Sequence, residues 1–222
     1  MDQTNKEFWD AAAAGDFAKV CACVSKGANV NVSNGDGRTA LMRSAKRGYE
    51  DIVRFLLDNG ANVRARDAHN KTALMGAAKK GHLGIVKMLV EAGSDVDSHD
   101  DNGRTALMRA AFLGQKEVVE YLIAQGVNVN AKDSKGRTAL TEAVLGYKID
   151  VIKMLIEAGA DVNLQDNNGC TALMRASYGG YVDLVLYLLE NGADKNVKDF
   201  QGNLPIHYVR KECFDELKEH LK

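Results

Sequence analysis

The sequence predicts an all-α repeat solenoid, in which copies of one short helical unit stack side by side. The first observation is a threonine that returns every 33 residues, at Thr39, Thr72, Thr105, Thr138 and Thr171, within segments such as Thr-Ala-Leu-Met-Arg-Ala. The second is a run of paired apolar residues later in each copy, and the third is a glycine that ends each run. A fixed period of this length is typical of stacked repeat arrays.

The threonine predicts the start of the first helix in each repeat. Its hydroxyl oxygen is a good N-cap because it accepts a hydrogen bond from a free amide of the first turn. Glycines then interrupt the chain before the second helix, at Gly48, Gly81, Gly114 and Gly180. In the fifth repeat the glycine comes one position early, at Gly146, and Tyr147 occupies its place. We expect a local distortion or a shifted second helix there.

The later half of each repeat predicts a second helix with two neighbours. Apolar residues recur at positions i, i+1, i+4 and i+5, as in Val118, Val119, Leu122 and Ile123. This spacing places two adjacent apolar rows on one helix. The glycines that follow predict helix C-termini, where a left-handed residue is common; they are Gly60, Gly93, Gly126, Gly159 and Gly192.

With this period and motif, the sequence resembles the ankyrin-repeat family, whose repeats have the same length and carry Thr-Pro-Leu-His-x-Ala. Here alanine replaces the proline and methionine mostly replaces the histidine, whereas Leu204-Pro205-Ile206-His207 keeps both. The resemblance implies a turn and an antiparallel helix pair in every unit. It also implies that methionine packing substitutes for part of the hydrogen-bond network that the family histidine makes.

We expect a single ankyrin-repeat domain over residues 1–222. Its repeats are an N-terminal cap at 1–33, internal repeats at 34–66, 67–99, 100–132, 133–165 and 166–198, and a C-terminal cap at 199–222. The end repeats carry polar residues on opposite rows, as the caps of a finite stack should. At the N-terminus, Thr4 and Glu7 resemble a capping box that opens the first helix.

Composition excludes several classes of function. The net charge is -1, from 29 basic and 30 acidic residues, so no bulk charge favours nucleic acid. No window approaches the ~18 apolar residues of a membrane span, and no cleavable leader is visible. Four cysteines lack zinc or redox spacing and are interpreted as reduced thiols; they are Cys21, Cys23, Cys170 and Cys213. We expect a cytoplasmic monomer.

The sequence predicts no enzyme, cofactor or metal site. It contains no His-Glu-x-x-His, Gly-x-Ser-x-Gly, Walker or dinucleotide-binding motif. His69 and His99 lie near Asp100 and Asp101, but the spacing of a metal site is missing, so we interpret them as solvated loop residues. The repeated Asp-x-x-Gly lacks the further acidic positions of a calcium loop.

The resemblance implies that the variable positions of the turns and first helices line a concave binding groove. In the second to fourth repeats they are basic: Arg38, Arg43, Lys46, Arg47, Lys71, Lys79, Lys80, Arg104 and Arg109. Farther along they are apolar, namely Phe112, Leu113, Leu145, Tyr178, Phe200 and Tyr208, with Arg137, Glu142 and Arg175 among them. We predict a non-enzymatic scaffold that binds a segment of another protein, acidic at one end and apolar at the other.

Three alternatives stay open at this point. The basic residues are also consistent with a solvated face that aids solubility. A receptor for a phosphorylated small ligand or short oligonucleotide would use the cations for phosphates and Phe112 or Tyr178 to stack a base. Ankyrin domains that sense oligoadenylates carry similar repeats, but only Asn70-Lys71-Thr72 approaches their Gly-Lys-Thr runs. A designed array is disfavoured by irregularities such as Tyr147 and Arg64.

Overall fold

The computed structural model describes residues 2–222, and the regular elements in this range are helical. The α-helices are α1 Gln3–Ala14, α2 Phe17–Ser25, α3 Ala40–Arg47, α4 Glu50–Asp58, α5 Ala73–Lys80, α6 Leu83–Glu91, α7 Ala106–Leu113, α8 Lys116–Ala124, α9 Ala139–Leu145, α10 Ile149–Glu157, α11 Ala172–Gly179, α12 Val182–Glu190 and α13 Lys211–Leu221. A 3-10 helix spans Pro205–Tyr208, and one isolated bridge joins Ser33 to Thr39. The predicted all-α repeat solenoid is confirmed.

The chain divides into two compact units, Met1–Asp101 and Asn102–Lys222, which we call the N-terminal and C-terminal units. In the N-terminal unit the first helices α1, α3 and α5 pack in one row, and the second helices α2, α4 and α6 pack in another. In the C-terminal unit α7, α9 and α11 form the first row and are followed by the 3-10 helix, while α8 packs on α10 and α12 on α13. Each unit therefore has a first-helix layer and a second-helix layer.

The threonines cap the first helices as predicted. In all five repeats that carry it, the threonine hydroxyl accepts a hydrogen bond of 3.3 Å from the backbone amide three residues later. These threonines are buried, so the bond satisfies an amide that has little access to water. In the Thr-Ala-Leu-Met segments, the threonine is therefore the helix cap, and the methionine three residues later supplies the backbone amide that donates to it.

The second helices form the core through their two apolar rows. In α8, Val118, Val119 and Leu122 are buried with at most 1% of their surface exposed. In the C-terminal unit, α13 buries Leu217 and Leu221 and leaves Glu216 and Glu219 exposed. One side of this helix is therefore apolar and the other polar.

The turn between α9 and α10 shows the local distortion that the sequence suggested, without a shift of the second helix. Tyr147 itself adopts the left-handed conformation, with φ of 50°, while Gly146 stays right-handed. The second helix is not shifted, because α10 begins 33 residues after α8; only α9 is shorter, with 7 residues against 8 in α7. The Tyr147 hydroxyl donates to Asp183 at 2.9 Å and its ring lies 4.3 Å from that of Tyr181. These contacts offset the backbone strain of a non-glycine residue at this position.

The predicted capping box at the N-terminus is wrong. The N-cap of α1 is Asp2, whose side chain accepts from the Asn5 amide at 2.8 Å. Thr4 lies inside the first turn instead, because an aspartate two residues earlier is an equally good cap.

Over residues 2–222, the helices are too short and too polar for any of them to span a lipid bilayer.

Candidate functional site

The predicted basic residues of the N-terminal unit lie on α3 and α5 and on the turns before them. Lys46, Arg47, Lys79 and Lys80 are exposed in the last turns of these two helices. Cations at a helix C-terminus interact favourably with the helix dipole, and their side chains still reach solvent. These four predicted residues therefore form an accessible, positively charged surface.

Arg38 and Lys71 are less accessible, because they belong to the turns that support the helices. The Arg38 guanidinium lies 3.3 Å from Asp36 and 3.6 Å from Asp67. Its backbone carbonyl accepts a hydrogen bond of 3.1 Å from the Trp9 indole. Arg38 therefore connects its own turn to the turn of Asp67 and to Trp9 of α1, and it also contributes positive charge.

Arg43 is arranged differently from Arg38. Its guanidinium carbon lies 4.7 Å from the centre of the Trp9 ring, a cation-π distance. Its side chain is half-buried, and the Nε atom is buried without a hydrogen-bond partner. Trp9 occupies the position that methionine holds in most other repeats, and it was not among the residues predicted to bind a partner.

The C-terminal unit presents large apolar side chains to solvent on its first helices. Phe112, Leu145 and Tyr178 occupy the same repeat position in α7, α9 and α11, with 41%, 38% and 64% of their surface exposed. Leu113 is exposed beside Phe112, and Phe200 is exposed by 73% on a turn. Apolar side chains at non-core positions mark surfaces that associate with other molecules.

Arg104 and Glu142 are joined by an ion pair in the C-terminal unit. Glu142 is buried, with 1% of its side chain exposed, and it also lies 3.0 Å from Arg137. Arg137 in turn donates to Asp133 at 3.0 and 3.2 Å. Two carboxylates and two guanidinium groups thus form a charged quartet of no net charge. Arg104, predicted to bind a partner, and Arg137 and Glu142, placed along the apolar part of the groove, are bound to one another.

Two further pairs join a buried aspartate to the side chain nine residues later. Arg175 is paired with Asp166, and the Tyr208 hydroxyl donates to Asp199. The bond from Tyr208 lowers the pKa of Asp199 to about 2, and the bond to Asp199 raises the pKa of Tyr208. Tyr208, predicted as a binding residue, is half-buried and its polar end stabilises a turn. An aspartate followed nine residues later by an arginine recurs in the sequence, as Asp100–Arg109 and Asp166–Arg175, and this spacing was a signal for the pair of Arg175 but not for that of Tyr208.

The arrangement of histidines, acids and thiols does not form a metal centre in residues 2–222, where no group of three such side chains could hold an ion. His69 lies 3.8 Å from Asp101, and the Nδ1 atom of His99 lies 3.2 Å from the Asp100 carbonyl oxygen. All four cysteines are free thiols.

A polar cavity of about 590 Å³ opens elsewhere in the N-terminal unit, and its lining includes Arg64, Arg66, Asp95 and Ser98. Arg64 donates to the Gly93 carbonyl at 3.0 Å, and Arg66 donates to Ser98 at 3.2 Å. Ser98 donates onward to Asp95 at 2.9 Å. These four polar side chains that line the cavity therefore bind other groups of the lining, and none of the predicted site residues is among the lining residues.

Comparisons with known proteins agree with this fold. The ankyrin-repeat sequence family matches at residues 8–100, 77–133, 92–166 and 132–199. Among solved structures, this chain is similar to the ankyrin repeat domain of Bcl-3, which is described as a unique member of the IκB protein family. The two share 27% identity and a TM-score of 0.82, over 96% of this chain and 97% of that one. The human ASB11 ankyrin repeat domain has 24% identity and a TM-score of 0.86, over 97% of each chain. No curated protein sequence matches.

The family match covers most of the chain, and it coincides with the helix pairs and capped threonines described above. The chain belongs to the ankyrin-repeat family.

Proposed function

We propose that this chain is a non-enzymatic scaffold that binds another protein through the turns and first helices of its two units. The observation that carries the proposal is the column of exposed apolar side chains in the C-terminal unit, Phe112, Leu145 and Tyr178. On the same helices Leu107 and Leu140 are buried, whereas Leu113 is exposed beside Phe112. Exposure of an aromatic side chain is unfavourable in water unless a partner covers it.

The charge of the N-terminal unit favours an acidic partner segment. The last turns of α3 and α5 contain four exposed cations and no acid. The second helices differ, because α4 begins with Glu50 and Asp51 and ends with Asp58. A basic field over one layer speeds association with an acidic segment, while desolvated aromatic contacts determine most of the affinity.

A second candidate is a receptor for a phosphorylated small ligand or short oligonucleotide. Its support in the N-terminal unit is Arg43, which has a buried Nε without a hydrogen-bond partner; separately, the C-terminal unit exposes the ring of Tyr178. Arginine pairs well with phosphate and an exposed ring can stack a base. Native mass spectrometry of the purified protein separates the two candidates, since a co-purifying nucleotide supports the receptor and its absence favours the scaffold.

The test of the scaffold is charge reversal against a matched control. The partner is first isolated by affinity purification and identified by mass spectrometry, and its binding is then measured directly. Arg43, Lys80 and Arg109 are changed to Glu together; the control changes Arg54, Lys87 and Lys153 of the second helices in the same way. We expect the first variant to lose binding and salt dependence and the control to keep both. Equal binding by both variants would reject the first-helix surface.

We also propose a cytoplasmic location and a monomeric state. Free thiols at all four cysteines suit a reducing compartment. Light scattering after size exclusion measures the mass directly, and a dimer would contradict the proposed monomer.

A further inference from the structure

The polar cavity of the N-terminal unit is lined by three residues that depart from the other repeats, namely Arg64, Ser94 and Ser98. Arg64 replaces an asparagine or aspartate, whereas Ser94 and Ser98 replace apolar residues. The corresponding residues are Asn31, Asp97, Asn130, Asn163 and Asn196 for Arg64, Ala28, Ala61, Val127, Ala160 and Ala193 for Ser94, and Val32, Ala65, Ala131, Leu164 and Val197 for Ser98. Three departures from the repeat pattern therefore line one cavity.

The asparagine that Arg64 replaces connects neighbouring loops through both ends of its amide. Nδ2 of Asn31 donates to the Gly60 carbonyl at 3.1 Å, and its Oδ1 accepts from the Asn62 backbone amide at 2.6 Å. Asn130 and Asn163 make the same two bonds in the C-terminal unit. The asparagine is therefore a donor to one residue of the next loop and an acceptor for another.

Arg64 retains only the donor half of this connection. Its Nε donates to the Gly93 carbonyl at 3.0 Å, but a guanidinium group has no acceptor atom. The Asp95 backbone amide, which corresponds to that of Asn62, therefore has no acceptor within residues 2–222. The hydroxyl of Ser94, a residue that is only 8% exposed, also makes no hydrogen bond in this range. Two consecutive residues of the cavity lining thus each have a polar hydrogen without a partner.

The charged side chains of the lining are two arginines and one aspartate, Arg64, Arg66 and Asp95. The Asp95 carboxylate is already satisfied by protein donors, because Oδ1 accepts from the Asp97 amide at 3.1 Å and Oδ2 accepts from the Ser98 hydroxyl at 2.9 Å. The groups left without a partner are therefore donors, and the charge of the lining is positive. Both properties favour an oxyanion as the ligand.

We propose that this cavity binds the phosphate group of a small organic phosphate through the Arg64 guanidinium, the Ser94 hydroxyl and the Asp95 amide. A phosphate oxygen takes the place of the asparagine oxygen that is missing at the Asp95 amide. Guanidinium groups and backbone amides both bind phosphate, and a group with several acceptor oxygens can use three separate donors. The volume of about 590 Å³ lies within the range of small-molecule sites and leaves room for the organic part. The site is separate from the residues proposed to bind a protein partner, none of which lines the cavity.

The Asp95 amide proton reports directly on the site in an NMR spectrum of the isotope-labelled full chain. The probes are inorganic phosphate and glycerol phosphate, with glycerol as the uncharged reference and succinate as a carboxylate, at constant pH and ionic strength. We expect both phosphates to move the Asp95 amide proton downfield saturably, because it gains an acceptor, and glycerol not to. Glycerol phosphate should bind more tightly than inorganic phosphate, since its organic part also contacts the cavity.

Arg64→Asn restores the residue of the other repeats, and the new side-chain oxygen can accept from the Asp95 amide. This variant should therefore keep the fold and weaken phosphate about tenfold or more. Ser94→Ala restores a small apolar residue and should weaken phosphate about threefold or more. The control Arg54→Asn removes the same charge from the exposed surface of α4 and should change affinity by less than about twofold. Thermal melts followed by circular dichroism establish that each variant is folded.

The proposal fails if neither phosphate shifts the Asp95 amide saturably, or if folded Arg64→Asn binds them as well as the original protein. It also fails if succinate binds as tightly as glycerol phosphate, since the cavity would then select carboxylates equally. If glycerol phosphate binds no more tightly than inorganic phosphate, the organic ligand is rejected. The isolated partner protein should bind Arg64→Asn and the original protein equally, so either proposal can fail without the other.

Discussion

Replacing Glu142 by glutamine tests whether the charged quartet stabilises the C-terminal unit. Glutamine keeps the size and shape of the side chain and removes its charge. Glu142 has 1% of its side chain exposed and contacts both Arg104 and Arg137. The variant therefore leaves two guanidinium groups facing a neutral amide, while Asp133 still binds Arg137.

The expected loss is larger than that of a surface ion pair, which contributes about 0–1 kcal/mol. A hydrogen bond to a charged group contributes about 1.5–3 kcal/mol, and breaking a fully buried pair costs about 3–5 kcal/mol. The Arg104 and Arg137 side chains are 28% and 21% exposed, so water compensates for part of the loss. We expect Glu142→Gln to lower the free energy of unfolding by about 2–3 kcal/mol.

Urea denaturation followed by circular dichroism measures this change. The control is Glu117→Gln on the exposed surface of α8, which should change stability by less than about 0.5 kcal/mol. Combining Glu142→Gln with Arg104→Gln should cost less than the sum of the two single changes, because both break the same ion pair. A loss below about 0.5 kcal/mol for Glu142→Gln would refute the stabilising role of the quartet.

Three further predictions concern single side chains. Tyr208→Phe removes the hydrogen bond that lowers the pKa of Asp199 to about 2. A carboxyl group whose pKa is lower in the folded than in the unfolded state stabilises the fold above its unfolded pKa, so the urea midpoint of the variant should be lower than that of the original protein at pH 7. The difference should shrink between about pH 4 and pH 2, and a difference that stays constant would contradict this role of Tyr208. Gly76→Ala gains about 0.5–1 kcal/mol of helix propensity but places a Cβ atom 3.2 Å from Cβ of Lys46, so the urea midpoint should not rise; a clear rise would contradict the close approach of α5 to α3 at this position. Leu122→Asp places a charge at a position with 0% exposure and should at least partly unfold the protein; an unchanged, single thermal transition would count against the stack.

The sequence predicted the features that depend on neighbours close along the chain. The cap between Thr105 and the Met108 amide spans three residues, and its recurrence made the helix starts visible. The bond between Arg104 and Glu142 joins residues 38 apart, and no local pattern indicated that they would meet. The left-handed Tyr147 was expected only as an irregularity, because its support comes from the distant side chains of Tyr181 and Asp183.

The candidate site was predicted only in part, because its residues were chosen by their variation between repeats. Variation between repeats identified exposed side chains such as Phe112 and Tyr178 correctly as surface residues. The same variation also selected Arg104 and Tyr208, which vary because they satisfy different partners inside the scaffold. Variation alone cannot distinguish a side chain that meets solvent from one that meets a charged neighbour.

Photo-crosslinking to the isolated partner tests the central claim most directly. Tyr178, 64% exposed on α11, is replaced by p-benzoylphenylalanine, and Glu157, exposed at the end of the second helix α10, is replaced in the same way as the control. Binding through the first-helix layer predicts a crosslinked product from position 178 and none from position 157. A product from position 157 alone would show that the partner contacts the second helices and would contradict the proposed surface.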